Sequence, residues 1–427
     1  MHAIHVDDGQ GKTQGKIQAK KYLLAVLLSV LVFNKVEHAS LGVLLQSIKN
    51  DLRITDTQLG LLSGIAFTLF YAVLGIPIAR WADRGNRVRI LAIATALQCG
   101  ALAASGLAGN FVQLLLVRVG VAVGEAGCVP TANSLIADRF TRAERPRATA
   151  RYMLGYPLSA VLGYFLAGWL NGLYGWRMTF ILLGLPGLAL ALLTYLTLQE
   201  PRRVAPPSAP PKVQDVCATL WRNATYRHLV FGYSLITFFG IGVVLWAPTF
   251  FIRTYGLHTA ELGIWLALIW GVGGIGGAYA AGEWAFRYAA NDERLQIKAI
   301  SVAFGISGAL AAGIFLAPNQ YLAFALLTFV AAVNYGTAGP LFATIQTLVP
   351  QRMRAVAIAT TYLCTNLIGM GLGPLAVGAL SDALRPLVGE ASLRYALLTL
   401  CPGYIWAAWH VWHASATVIP DLENAAT

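Results

Sequence analysis

The chain has 427 residues, of which 57% are hydrophobic and 12% charged, and its mean hydropathy is +0.62. A soluble domain carries about 25% charged residues, so this composition excludes a water-soluble globular protein, and its apolar residues come in blocks of about 20, enough to cross a bilayer as a helix. The net charge of +12 does not mark a nucleic-acid binder, because the basic residues sit in short segments between apolar blocks rather than on one stripe.

The N-terminus is polar to Lys21 and then apolar to Phe33; the apolar character resumes through Leu45 with no small-residue cleavage site, which reads as a retained first helix. Twelve spanning helices are expected, at 22–48, 58–82, 88–108, 110–138, 147–170, 177–198, 228–254, 260–286, 296–316, 320–349, 354–380 and 391–416. They must be helical, because lipid gives the backbone no other partner. Ala108-Gly109-Asn110, Asn171-Gly172 and Ala317-Pro318-Asn319-Gln320 are turn signals between spans. Counted on alternate sides, 22 Lys and Arg residues fall on the side of the termini, against six on the other: Lys49, Arg53, Arg177, Arg253, Arg385 and Arg394. The positive-inside rule then puts both termini in the cytoplasm of a multi-pass bacterial inner-membrane protein.

The proline-rich run Glu200–Lys212 cannot support a helix interior and reads as a linker. The expected division is a tail at 1–21, a six-helix bundle at 22–199, a cytoplasmic linker at 200–227, a second bundle at 228–416 and a tail at 417–427. The halves look like copies. Ala82-Asp83-Arg84 recurs as Ala285-Phe286-Arg287, 203 residues on, and Arg147-Ala148 as Arg354-Ala355, 207 residues on. Two pseudo-symmetric six-helix bundles with a substrate site between them near the midplane are the expected architecture.

Helix 1 carries Asn34-Lys35-Val36-Glu37-His38. Asn34, Glu37 and His38 share a face, and Lys35 points about 200° from Glu37. Burial and a nearby cation act oppositely on a carboxyl, so Glu37 is a candidate for proton exchange, as is His38; the alternative is a wet cluster near the outer surface. In helix 2–3, Asp83, Arg84 and Arg87 lie in Arg80-Trp-Ala-Asp83-Arg84-Gly85-Asn86-Arg87-Val-Arg89. A carboxylate at a helix C-terminus wants a cation. Arg139, at the end of helix 4, is the candidate partner for Asp83 in a cytoplasmic gate, against the alternative of a solvated loop that only sets topology. On helix 4 itself, Arg118 and Glu125 lie within about 20° of each other. Charges at this depth must be paired or face a cavity, as a substrate and proton site or as a structural lock.

Gly155 and Pro157 in helix 5 and Gly371, Gly373 and Pro374 in helix 11 are candidate hinges or close-packing elements. Arg253, near the outer end of helix 7, either meets an anionic headgroup or snorkels. No Walker sequence, nucleophile motif or metal-ligand spacing is present, and the five scattered cysteines form no CxxC. An enzyme, a metal site and a cofactor are therefore not expected, and a proton gradient is the expected energy source.

Asp56-Thr57-Gln58-Leu59-Gly60-Leu61-Leu62, Ala82-Asp83-Arg84-Gly85-Asn86-Arg87, Arg118-Val-Gly-Val-Ala-Val-Gly-Glu125-Ala-Gly127, Gly371-Leu-Gly-Pro374 and Ser381-Asp382 together resemble the spinster-type branch of the major facilitator superfamily. The resemblance implies that fold and the proton-coupled or facilitated movement of amphipathic molecules such as lysophospholipids or sphingoid lipids. The family's first helix usually reads Asn-x-x-Asp-Arg; here Glu37 replaces the aspartate and His38 the arginine, a departure that points to a specialised substrate, a negatively charged organic compound or a xenobiotic. The expectation is a monomeric secondary transporter working by alternating access among membrane lipids, with a small-molecule or lipid substrate and no nucleic-acid partner. The alternatives are uptake or efflux of a small organic anion or xenobiotic and, in another class, a non-transporting membrane receptor or sensor.

Overall fold

The chain forms helices joined by short turns, and the computed structural model describes residues 8–141, 144–200, 213–289, 292–349 and 353–426, with side chains from Gln18 onward except at 76, 79, 80, 82–84, 146, 213–217, 355 and 424–426. In the first half α1 is Asp8–Leu52, α2 is Asp56–Ser63 and Ile65–Arg84 with a break at Gly64, α3 is Arg87–Ser105 and α4 is Phe111–Arg139. A continuous run Gly155–Thr197 follows Arg145–Met153. Gly175 interrupts that run with φ +75°, a left-handed conformation that suits a residue without Cβ. The chain rises beside α1 from Gly155 at Leu31 to Asn171 at Ser47, and then descends to Gly187 at Phe33 and Thr197 at Tyr22. The run is therefore two helices, α5 (145–174) and α6 (176–197).

The second half repeats this. α7 is Ala224–Tyr255, α8 is Thr259–Leu268 and Ile275–Tyr288 joined by a π-turn at Ile269–Gly274, α9 is Glu293–Leu316 and α10 is Gln320–Thr347. α11 is Arg354–Thr365 and Gly373–Val388 around the π-turn Asn366–Leu372, and α12 is Ser392–Leu400 and Gly403–Ala426. Gly389, at φ +61°, separates α11 from α12. Ten apolar helical stretches among the described residues are long enough to cross a membrane; two of these, 51 and 68 residues long, are the α5–α6 and α11–α12 pairs, which makes twelve spans.

Helix ends carry the polar work that lipid cannot do. Asn86, Asn110, Asn223, Asp292 and Asn319 each accept a backbone N–H three residues on, and Thr55 and Gln58 form a capping box at α2. Three stretches expected as tails or linker are partly helical. α1 begins at Asp8, the linker holds a helix Val213–Arg222, and α12 runs on to Ala426. The two tails continue helices already nucleated in the spans, which costs little even past the apolar boundary, whereas Val213–Arg222 is a separate helix that ends just before the Asn223 cap of α7. The prolines at 201–211 lie outside the described residues.

α1 to α6 and α7 to α12 pack as two bundles that meet through α1 with α7, α2 with α11, and α5 with α8. The last two contacts are the same contact made twice. A Cβ on Gly60 of α2 would lie 2.8 Å from the Leu375 Cα of α11. Gly263 of α8, 203 residues after Gly60, would meet the Gly168 Cα of α5 at 2.9 Å, and Gly168 stands 207 residues before Leu375. Those are the two offsets at which the loop motifs repeat.

Candidate functional site

The site starts on α1. Asn34 is buried and donates to the Gln98 side chain of α3, while Gln98 Nε2 donates to the Asn34 carbonyl at 2.7 Å. This exchange locks the rotation of α1 and thereby aims the next four residues. Glu37 is fully buried and accepts from Arg118 of α4. Arg118 also reaches the Leu62 carbonyl at 3.4 Å and lies 5.6 Å from the Phe67 ring. Two turns along α4, Glu125 accepts from Lys35 and faces His38 Nε2 at 3.0 Å. His38 Nδ1 stands 3.8 Å from Glu37, so the imidazole bridges the two carboxylates.

Arg118, Glu37, His38, Glu125 and Lys35 thus form one chain of alternating charge across α1 and α4. With a neutral imidazole, its two cations and two carboxylates balance. Glu37, His38 and Glu125 bring ligand atoms within 4.8 Å of one another. The set does not fit a metal, because Lys35 and Arg118 already neutralise both carboxylates and a divalent ion would add uncompensated charge.

Between the bundles lies a cavity of about 460 Å³, in the size range of small-molecule pockets. Lys35 and His38 stand on its wall; Glu37, Arg118 and Glu125 lie behind it. The other walls are Tyr156, Ser159 and Tyr164 of α5, Tyr233 and Thr237 of α7, Trp270 at the π-turn of α8, Asn334 and Tyr335 of α10, and Met370 and Pro374 of α11. Among the described lining residues, Lys35 and His38 are the charged or chargeable ones. The aromatic wall had no sequence signal of its own, since a single Tyr or Trp in an apolar span does not show which way it faces.

One end of the cavity is sealed where α1 finishes. Arg253 of α7 makes a two-pronged pair with Asp56 of α2 at 2.7 and 2.8 Å and donates to Gln46 at 2.7 Å. Lys49 and Ser381 also donate to Asp56, at 2.6 and 2.7 Å. Asp382 of α11 accepts the Asp56 and Thr57 N–H groups at 3.1 and 2.7 Å, so one bundle caps a helix of the other. Asn171 to Thr259, at 3.1 Å, joins α5 to α8 at the same face. Arg253, expected to meet a headgroup or to snorkel, instead ties the bundles together; its partner lies 197 residues away, beyond the reach of local pattern. Asp56, Lys49 and Asp382 were not anticipated as site residues, although Asp56 and Asp382 fall in segments that carried the resemblance.

At the opposite face, Arg87 is buried and pairs with Asp138 at 2.5 Å and Glu200 at 2.7 Å, and Arg139 donates to the Gln199 carbonyl at 2.9 Å. These contacts hold the exit of α6 within the first bundle, not one bundle against the other. The side chains of Asp83 and Arg84, the other members of the expected gate, lie outside the described residues. Of the expected hinges, Gly155 is pressed against Leu31 and Gly373 against the Phe238 carbonyl, where added Cβ atoms would lie at 2.8 and 2.4 Å. Pro157 lies in the first turn after the break at Leu154. Gly371 sits in the α11 π-turn, and the Pro374 carbonyl just beyond accepts from Trp246 at 3.0 Å.

The profile of the Major Facilitator Superfamily matches residues 24–374. An MFS-type efflux pump of Mycolicibacterium smegmatis is 31% identical over 407 residues, 94% of each chain. Protein spinster homolog 1 of Xenopus tropicalis is 25% identical over 93% of this chain and 82% of that one. A crystal structure of a bacterial homolog to the human lysosomal transporter spinster, inward-facing and unoccupied, superposes with a TM-score of 0.85 at 27% identity, covering 94% of this chain and 98% of that one.

Proposed function

We propose, from the premise that this chain belongs to the Major Facilitator Superfamily and is a multi-pass membrane transporter of the spinster type rather than an enzyme, that it moves amphipathic organic anions by proton-coupled alternating access. The observation that carries this reading is the cavity wall: Lys35 and His38 at one side, and over the rest mainly aromatic and aliphatic groups with a few neutral polar ones such as Ser159, Thr237 and Asn334. An anionic head is favoured next to a buried ammonium, and an apolar body gains by leaving water for the aromatic wall. A sphingoid base would bring its ammonium against Lys35 and is disfavoured; lysophosphatidate-like and aromatic organic anions fit. Positive-inside counting makes the sealed face the outer one and puts both termini in the cytoplasm of a bacterial inner membrane. The cavity is then read as open inward, with the Asp56–Arg253 cluster as the closed outer gate.

The test is counterflow of labelled naphthalene-2-sulfonate in proteoliposomes. Exchange is expected to be competed by lysophosphatidate and by aromatic carboxylates, but not by sphingosine or a naphthylmethyl amine, and to be lost in Lys35→Met. Competition by the cations alone overturns the anion reading.

A further inference from the structure

We propose that Gly240, Asn334 and Tyr404 form a notch in the cavity wall that receives a hydroxyl on the body of the transported anion. This rests on the cavity being the anion site. Gly240 lies inside α7 and lines the cavity. A glycine in a helix interior is unfavourable relative to alanine, and close helix packing is the usual reason for one in a membrane bundle. Gly242, two residues on, has that reason: an added Cβ would lie 3.1 Å from the Val377 side chain and 3.3 Å from the Gly373 carbonyl oxygen. Gly240 does not. Apart from α7 itself, the described neighbours within 4 Å of its Cβ position are two polar atoms, Asn334 Oδ1 and the Tyr404 hydroxyl oxygen, each at 3.8 Å.

The Tyr404 hydroxyl is itself an unanswered group. Tyr404 of α12 is fully buried, and its hydroxyl has no hydrogen-bond partner among the described residues. The ring is fixed against Phe239 of α7, at 5.9 Å between centroids, and against Gly308 of α9, where an added Cβ would lie 2.7 Å from the Tyr404 Cβ. A dry, unpaired phenol is costly, and this one stands beside the space that a side chain at 240 would fill. An oxygen at that point has to move roughly 1 Å towards Tyr404 to reach hydrogen-bond distance, and the Asn334 side chain turns to meet it. A hydroxyl answers both atoms, donating to Asn334 Oδ1 and accepting from the Tyr404 O–H. A methyl group answers neither, and a carboxylate has nothing to donate to Oδ1. Lys35 and His38 belong to the first bundle and the notch to the second, so a ligand held at both ends spans the two. The substrate class narrows to amphipathic anions that carry a hydroxyl on the apolar body, away from the anionic head.

Naphthalene-2-sulfonate and its ring-hydroxylated isomers are the probes, titrated calorimetrically into the purified full chain. At least one isomer is expected to bind about tenfold more tightly than the parent, the effect of one hydrogen bond to a group otherwise left unpaired. Gly240→Ala fills the notch through ordinary contacts, and Tyr404→Phe removes the unpaired hydroxyl alone, so both variants are expected to unfold at or above the wild-type midpoint. In each of them the hydroxylated isomer is expected to lose its advantage over the parent. Binding of the parent with no gain from any isomer overturns the notch and leaves the anion reading standing. A gain that persists in either variant places the hydroxyl elsewhere and overturns the notch as well. Failure of the parent and of every isomer to bind overturns the anion reading, and the notch with it.

Discussion

Glu37→Gln destabilises the folded protein more than Arg118→Met does, and Glu37→Gln combined with Arg118→Met recovers much of the loss. The pair is buried on both sides, at 0% and 2% side-chain exposure, so breaking it by removing one partner costs roughly 3–5 kcal/mol. The two single changes are not equivalent. Arg118→Met leaves a carboxyl that can take up a proton and become neutral. Glu37→Gln leaves a guanidinium that cannot be deprotonated in a protein, with the Leu62 carbonyl, the Phe67 ring and the more distant charge of Glu125 as its remaining described company. Thermal unfolding of the detergent-purified variants, followed by tryptophan fluorescence, reads the order directly. Equal midpoints for wild type and both single variants would show that the pair contributes nothing to the fold.

Gly168→Leu lowers transport by roughly tenfold or more while leaving the unfolding midpoint near wild type. A Cβ at Gly168 would lie 2.4 Å from the Thr259 carbonyl oxygen and 2.8 Å from the Gly263 Cα. Both neighbours are backbone atoms that cannot swing away, and overpacking of this kind costs about 1–3 kcal/mol. The contact lies between bundles at the sealed end of the cavity and exists while that end is shut, so the cost falls on that conformation alone and the population shifts away from it. Spin labels on the ends of α5 and α8 that meet at this contact are expected to move apart in the variant. Unchanged label distances together with wild-type flux would mean that these helices do not separate during the cycle.

The sequence was legible where the physics is local. Apolar blocks marked the spans, and Asn110 and Asn319, read as turn signals, proved to be helix caps for the same reason that they mark turns: a short side chain that can hold backbone N–H groups. Helical spacing on α4 placed Arg118 and Glu125 on one face, and that face packs against α1. The 200° between Glu37 and Lys35 did not send them to different helices: both reach the one face of α4, Glu37 to Arg118 and the longer Lys35 side chain to Glu125. What periodicity could not show is which helix stands opposite. Arg118 and Glu125 do not pair with each other, Asn34 is engaged by Gln98, and Arg253 belongs to Asp56. Each of those partners comes from a distant segment, brought close only by the packing of the bundles.

The measurement that reaches the central claim most directly is uptake of naphthalene-2-sulfonate into proteoliposomes under an imposed pH gradient, with the membrane potential clamped at zero. The account predicts accumulation on the alkaline side that follows the gradient and is abolished in Lys35→Met. Flux that ignores the gradient, or that persists without Lys35, would contradict it.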